Sequence, residues 1–197
     1  MPTLAFIGAD AIGSQLARLA VAHGYDVVLS DSRGPGALAE LLAQLGSRAR
    51  ATTVLEAANA ADVVVIDTPL ADVADLPAEA LEGKVVIDTD NYYPERDGQI
   101  PELDDETATV SERLQVFLTG SLVVKAFNHL PPEALTTDAR AAGAPDRRAL
   151  IVAGNDADAR DTVSALITDF GFDVIDLGPL AEGWRIQRDT PGFGLSL

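Results

Sequence analysis

Short apolar runs alternate with longer stretches of helical period along most of this chain. Thr3 to Ile7, Asp26 to Leu29, Asp62 to Asp67, Val85 to Asp88, Leu122 to Ala126, Ala149 to Ala153 and Phe172 to Leu177 read as strands, with a weaker one over Arg48 to Thr52. Val63-Val64-Val65-Ile66 is continuously apolar, as in a strand buried on both faces of a parallel sheet. Between the runs, apolar residues return every three or four positions. Ile12, Leu16, Leu19 and Ala20 do so over Ala11 to His23; Leu38, Leu41, Leu42 and Leu45 follow Gly34-Pro35-Gly36. Val110, Leu114 and Phe117 do so within a helix expected from Glu106 to about Leu118, and Val163, Leu166, Ile167 and Phe170 form a last stripe. A short helix is expected over Val54 to Ala60, and Gly24 stands where a left-handed helix cap belongs. This alternation, without repeats, predicts a Rossmann-like α/β fold: a doubly wound, mostly parallel sheet with helices on both faces. One domain over 1–197 is expected, with a dinucleotide-binding half at 1–120 and a substrate side, including the tail, at 121–197.

Ligands on such sheets bind beyond the carboxyl ends of the strands. The turns that would line this crevice are Gly8–Gly13, Ser30–Gly34, Thr68–Leu70, Thr89–Tyr93 and Ala126–His129. The first carries Gly8 and Gly13 in the register of the G-x-G-x-x-G fingerprint, with Asp10 at the middle position. The helix N-terminus beyond it suits a phosphate. A carboxylate about 4 Å from a phosphate charge opposes binding by on the order of 4 kcal/mol at an effective dielectric near 20. Asp10 therefore reads either as a cap satisfying the N–H groups a phosphate would take, with cofactor binding weakened or lost, or as a tolerated substitution in a working site. Asp31 lies where NAD-preferring enzymes place an acid on the ribose 2′-hydroxyl, whereas Arg33 favours a 2′-phosphate.

Composition narrows the classes. The 31 acidic and 14 basic residues give a formal charge of −17, which argues against nucleic acid or anionic membrane as a partner. No apolar run approaches the length of a membrane span, and no basic-then-apolar leader opens the chain. Cysteine is absent, which excludes disulfides and thiolate chemistry and agrees with a cytoplasmic location.

Ile7-Gly8-Ala9-Asp10-Ala11-Ile12-Gly13-Ser14, Val28 to Pro35, the Asp90-Asn91-Tyr92-Tyr93-Pro94 stretch, Pro101 to Asp104, Val124-Lys125-Ala126-Phe127-Asn128 and Asp176 to Leu180 together resemble the NADPH-dependent deazaflavin-coenzyme reductase-like, NADP oxidoreductase-like family. The resemblance covers essentially the whole chain. It implies hydride transfer between NADP(H) and a deazaflavin or flavin-like acceptor. It places the glycine turn at Gly8, Ala9, Asp10, Ile12 and Gly13, and the 2′-phosphate site at Ser30, Ser32 and Arg33, beside Asp31. The nicotinamide neighbourhood falls at Thr68, Pro69, Leu70, Thr89 and Asn91. The chain departs from the family at four positions: glycine is usual at 10, asparagine at 31 and 90, and a small or apolar residue at 67, where this sequence has aspartate each time.

His129, Lys125 and Asp90 are the candidate catalytic residues. His129 follows a buried-looking strand and is the histidine placed for acid/base work; the same residue also reads as a loop histidine without catalytic duty. Tyr92, Tyr93 and Asn128 are candidates for holding substrate, with Tyr92 and Tyr93 read equally as core or interface aromatics. Asp67, Asp88 and Asp90 end adjacent strands, where clustered carboxylates raise one another's pKa; no ligand spacing points to a metal. The first reading is a reductase using NADP(H) rather than NAD(H). Its rival is a Rossmann protein without a redox cofactor, performing acid/base chemistry on a small organic substrate, and a non-catalytic binding protein is the third. Trp184, Phe193 and Leu195 are tail residues that either pack on the core or join a second copy in a homodimer.

Overall fold

The computed structural model describes residues 2–194, so Leu195 lies outside the described residues. Eight strands form one sheet: β1 (Thr3–Ile7), β2 (Asp26–Ser30), β3 (Ala49–Ala51), β4 (Val63–Ile66), β5 (Val85–Asp88), β6 (Leu122–Lys125), β7 (Ala149–Gly154) and β8 (Asp173–Asp176). Their order is β3-β2-β1-β4-β5-β6-β7-β8, and the first six run parallel. The order 3-2-1-4-5-6 is that of a doubly wound dinucleotide fold. β7 turns against β6, pairing antiparallel at Val124↔Gly154 and Lys125↔Ala153, and β8 runs parallel to β7.

Successive side chains of a strand point to opposite faces, so the central strands β1, β4, β5 and β6 feed two cores. Leu4, Phe6, Val27, Leu29, Val65, Ile87 and Val124 pack under α1 (Ala11–Ala22), α2 (Ala39–Leu45) and, further along, the long helix α9 (Ala157–Asp169). Ala5, Ile7, Val64, Ile66, Val86 and Val123 face α3 (Val54–Ala60) and the shorter segments that follow it: a 3-10 run at Leu70–Asp75, α4 (Ala78–Leu81), and α7 (Val110–Phe117). The one-turn helices α5 (Pro94–Asp97) and α6 (Pro101–Asp104) fill the stretch after β5, and α8 (Ala134–Thr137) follows β6.

The helix expected from Glu106 begins at Val110 instead. Glu106 holds a left-handed φ of 56°, and Thr109 forms a capping box with Glu112, each accepting the other's backbone N–H. Phe117, expected on the buried stripe, is 38% exposed. The tail winds through a 3-10 segment, Leu180–Ile186, and returns to the crevice, where the Gly194 N–H donates to the His129 carbonyl at 2.7 Å. Trp184 is 45% exposed under the Arg185 guanidinium.

Candidate functional site

The carboxyl ends of β1, β2, β4, β5 and β6 open into one crevice, and backbone ladders carry the strands' register into the turns. Gly8 N–H donates to Ser30 O at 3.0 Å, Asp67 N–H to Ile7 O at 2.9 Å and Thr89 N–H to Ile66 O at 3.2 Å. Gly8 adopts a φ of +86°, and a Cβ there would lie 2.0 Å from the Asp67 carbonyl oxygen. Only glycine fits that close approach of turn and strand.

Two cavities flank this junction. One, of about 350 Å³, is lined on the β2 side by Gly8, Ala9, Ser32, Arg33, Asp72 and Asp75. The other, of about 340 Å³, is lined on the β5–β6 side by Ile12, Thr89, Asp90, Asn91, Tyr93, Arg96, Asn128, His129 and Phe193. Asp10, Asp67, Thr68 and Pro69 belong to both. Most of the residues expected to bind cofactor or substrate therefore meet here. Gly13, Ser30, Leu70, Lys125 and Tyr92 line neither cavity. Leu70 opens the 3-10 run and faces α7 across a separate cavity. Tyr92 donates its hydroxyl to Asp104 at 2.7 Å and accepts the Ile100 N–H at 2.9 Å, which holds α6 in place. Ser30 is fully buried and donates to the Phe6 carbonyl at 3.1 Å.

Asp10 does not cap α1. It occupies the N-cap position, but its side chain makes no cap hydrogen bond. The acid that serves the helix comes from the end of β4: the Gly13 N–H donates to Asp67 Oδ2 at 2.7 Å, and Thr89 Oγ1 lies 3.3 Å from Asp67 Oδ1. A Cβ on Gly13 would sit 2.7 Å from that same Oδ2, so the last fingerprint glycine is what lets the carboxylate in. Burial first, then the charge of Asp10, pushes the Asp67 carboxyl above the usual carboxylate range, while the Gly13 and Thr89 bonds pull the other way.

On the β2 side Arg33 forms a two-pronged pair with Asp31, Nε to Oδ1 at 2.9 Å and Nη2 to Oδ2 at 2.7 Å. The guanidinium beside it holds the Asp31 carboxyl below its ordinary value. Asp31 thus spends itself on Arg33, and the two conflicting sequence signals are one ion pair.

On the β5–β6 side, Asp88 and Lys125 are direct partners across the two strands and are both buried, with Nζ 3.2 Å from Oδ2. Asp88 also accepts from Ser111 Oγ at 2.5 Å and from the Asp90 N–H at 2.9 Å, and Lys125 donates to the Asp90 carbonyl. The ammonium thus holds the loop that presents Asp90. The Asp90 carboxyl is pushed well above the usual range, by burial first and then by Asp88. Beyond Lys125, Phe127 sits buried at a φ of +64°, a strained turn for an aromatic residue. It delivers Asn128 and His129 to the cavity wall. Asn128 Nδ2 donates to Asn91 Oδ1 at 3.0 Å and to the Ile186 carbonyl at 2.8 Å.

His129 is 2% exposed, and its Nε2 accepts the Ile151 N–H at 3.3 Å, where the β6–β7 ladder has ended. Accepting there puts the imidazole proton on Nδ1, which has no partner in the protein. Burial, then Arg148 and Lys125, lower its pKa to about 4, so the ring is neutral at pH 7. Thr68 Oγ1 and Asn128 Oδ1 are likewise buried without partners beside the same cavity. Tyr93 is flanked by the Arg96 and Arg188 guanidinium groups, each 5.0 Å from the ring centre. Phe193, expected on the core or a second copy, lines the cavity; Arg96 and Asp67's role as cap were outside the sequence expectations, and only an acid at a strand end, opposite a fingerprint glycine, could have signalled the last.

The strand order and the glycine turn define a Rossmann-like dinucleotide-binding fold. Comparison with known proteins narrows it. The family model described as NADP oxidoreductase, coenzyme F420-dependent, matches residues 3–92. A hypothetical protein from Sinorhizobium meliloti of known structure is 33% identical, with a TM-score of 0.86 over 100% of this chain and 95% of that one. A protein from Arthrobacter sp., described as a candidate F420-dependent NADP reductase, is 28% identical with a TM-score of 0.77, covering 92% of this chain and 87% of its own. Metalloreductase STEAP3 of Rattus norvegicus is 27% identical over 188 residues; this is 94% of the present chain and 36% of that protein, so the chain spans about a third of its length. A 3-hydroxyisobutyrate dehydrogenase from Mycobacterium tuberculosis, at 19% identity and a TM-score of 0.68, shares the fold. The chain thus matches the NADP oxidoreductase, coenzyme F420-dependent family model over its first half and the Sinorhizobium meliloti protein along its whole length.

The crevice fits a dinucleotide in shape. Gly8 allows the tight approach of turn and strand, and the two cavities adjoin at their shared residues Asp10, Asp67, Thr68 and Pro69. Its charge opposes one at that junction, where Asp10 and Asp67 are the shared acidic residues.

Proposed function

We propose that this protein is a reductase that binds NADP(H) along the crevice and serves a neutral or cationic organic acceptor, a deazaflavin or flavin-like ring or a smaller compound. The observation that carries this reading is that the two cavities share Asp10, Asp67, Thr68 and Pro69 as walls, beside a glycine turn that matches this family's model. When bound, the nicotinamide supplies hydride. The chain's residues supply the surroundings. Thr68, Pro69, Thr89 and Asn91 shape the nicotinamide end, and Ser32 with the Arg33–Asp31 pair meets the adenosine ribose. The Nδ1–H of neutral His129 offers a hydrogen bond to an acceptor oxygen or nitrogen, and Asn128 Oδ1 offers an acceptor. Asp90, whose burial favours its protonated form, is placed to donate the proton that accompanies hydride. The acids of this wall favour positive charge developing on the nicotinamide and disfavour an anionic acceptor.

Titration with NADPH and NADH, followed by nicotinamide fluorescence and melting temperature, tests the first half. Binding tighter than about 100 μM raises the melting temperature at millimolar ligand by mass action. Loss of nicotinamide absorbance with a flavin or deazaflavin present tests the second, and Asp90→Asn should abolish that turnover while NADPH still binds. No response to either dinucleotide, with turnover of a small substrate in their absence, would establish the cofactor-free rival, which the Asp67–Gly13 contact favours.

A further inference from the structure

The N-terminus of α1 already holds an anion that belongs to the chain. Asp67 Oδ2 takes the Gly13 N–H at 2.7 Å, and Oδ1 lies 3.3 Å from Thr89 Oγ1, whose hydroxyl also reaches the Ile66 carbonyl at 2.9 Å. Its backbone is fixed too, by the 2.9 Å bond from its N–H to Ile7 O and by the packing of its carbonyl against Gly8. The Gly13 N–H is one of the free donors that a helix N-terminus offers a phosphate. We propose that the Asp67 side chain is a built-in occupant of the phosphate position, so that a dinucleotide binds only when that carboxyl is protonated or swung out of the turn. The inference rests on the NADP(H) reading above and assigns Asp67 as the residue that sets cofactor affinity and couples it to pH.

The charges facing Asp67 all matter to its sign. Asp10 faces it from the glycine turn and disfavours its ionisation, and Asp67 in turn helps to raise the Asp90 carboxyl on the loop after β5. Asp72 lines the adjoining cavity, in which Arg33 is tied to Asp31. Lys125 is spent on Asp88, and His129 is neutral. A second anion arriving at Gly13 therefore meets net negative charge until Asp67 takes up a proton. Removing that charge alone should raise affinity by about tenfold or more, allowing for a side chain that is partly open to water.

The test is calorimetric titration of the whole protein with NADP⁺ and NAD⁺ between about pH 8 and pH 5.5. NAD⁺ is the cleaner probe, because its diphosphate keeps a constant charge over that range while a 2′-phosphate titrates near pH 6. The expected result is NAD⁺ affinity that rises as pH falls, with proton uptake seen as a dependence of the binding heat on the buffer's ionisation enthalpy. In Asp67→Asn, affinity at pH 8 rises at least about tenfold and the pH dependence flattens. Wild-type affinity that is flat with pH and equal in Asp67→Asn overturns the inference while leaving the cofactor reading intact. No binding by wild type, Asp67→Asn or Asp10→Gly at any pH overturns both. The wild-type pH profile and buffer dependence need no variant, and Asp67→Ser repeats the comparison if the asparagine form melts early.

Discussion

The buried pair Lys125–Asp88 makes the most demanding prediction. Replacing Lys125 by methionine keeps most of the side-chain volume and removes the ammonium. Both partners are within 3% of complete burial, so the Asp88 charge loses its counter-ion where water cannot replace it. Breaking a buried pair by removing one partner costs about 3–5 kcal/mol. Asp88 keeps the Ser111 hydroxyl at 2.5 Å and the Asp90 N–H at 2.9 Å, which places the loss near the lower end, about 3 kcal/mol. For a chain of this size that is a fall in melting temperature of about 6–12 °C. Chemical denaturation with an unchanged m-value would confirm a loss of stability rather than a change in the unfolded state. Removing the stranded charge as well, in Lys125→Met/Asp88→Asn, should recover more than half of the loss. A single variant within about 1 kcal/mol of wild type, or a double variant no better than the single, would refute the assignment of Lys125 as the counter-ion that holds the Asp90 loop.

Three further predictions follow from the same geometry. His129 has its pKa lowered from 6.5 to about 4, so its contribution is fully present above pH 6.5 and is lost as pH falls toward 4; this amounts to about 3 kcal/mol. Asp67 and Asp90, with raised pKa values, act with the opposite sign, so the measurement is the acid-side slope of stability in wild type against His129→Gln, which should be flatter. Asp31→Ser should free Arg33 for a 2′-phosphate and raise the NADP⁺ over NAD⁺ affinity ratio by about five- to tenfold, read by titration; an unchanged ratio would show that Arg33 does not reach the ribose. Gly8→Ala should cost about 2–3 kcal/mol or more in a thermal melt, because its Cβ would meet the Asp67 carbonyl at 2.0 Å from a left-handed backbone.

Much of the fold was legible because its signals are local. The continuous apolar run Val63–Ile66 and the stripe on Ala11–Ala22 are properties of neighbouring residues, and both elements stand where the pattern put them. The start of α7 differs from the expected Glu106: the apolar stripe itself begins at Val110, and the capping box at Thr109 and Glu112 decides the boundary. The reversal of β7 was not legible, since an apolar strand carries no mark of its direction. In the crevice, topology correctly gathered the turns. Which side chain satisfies which backbone group was beyond reach: Asp67 and Gly13 are 54 residues apart, and His129 meets Ile151 only because β6 stops short of β7's first residues. Sequence offered Asp10 as the cap by adjacency, and geometry gave the bond to the acid with the better approach.

That exchange bears on what the glycine fingerprint means in this chain. Gly8 is required by the Asp67 carbonyl at 2.0 Å from any Cβ, a contact between two pieces of the chain's own backbone. Gly13 is required by the Asp67 side chain. Neither requirement involves a phosphate. Both glycines would be retained under selection for the strand–turn–helix packing alone, whatever the crevice binds, so their presence testifies to the fold and is silent on the ligand. The residues that do speak of the ligand are those with charge to place: Asp67 at the helix N-terminus, Asp31 holding Arg33, and Asp90 under Lys125's control. Each substitutes an acid where the family resemblance implies a neutral residue, and each of the nearby cations is already paired with one of the chain's own aspartates. A crevice so arranged holds an anionic cofactor at the cost of its own ion pairs and a proton. Its occupancy should therefore be set by pH and by residue 67 far more than by the glycines that identify it.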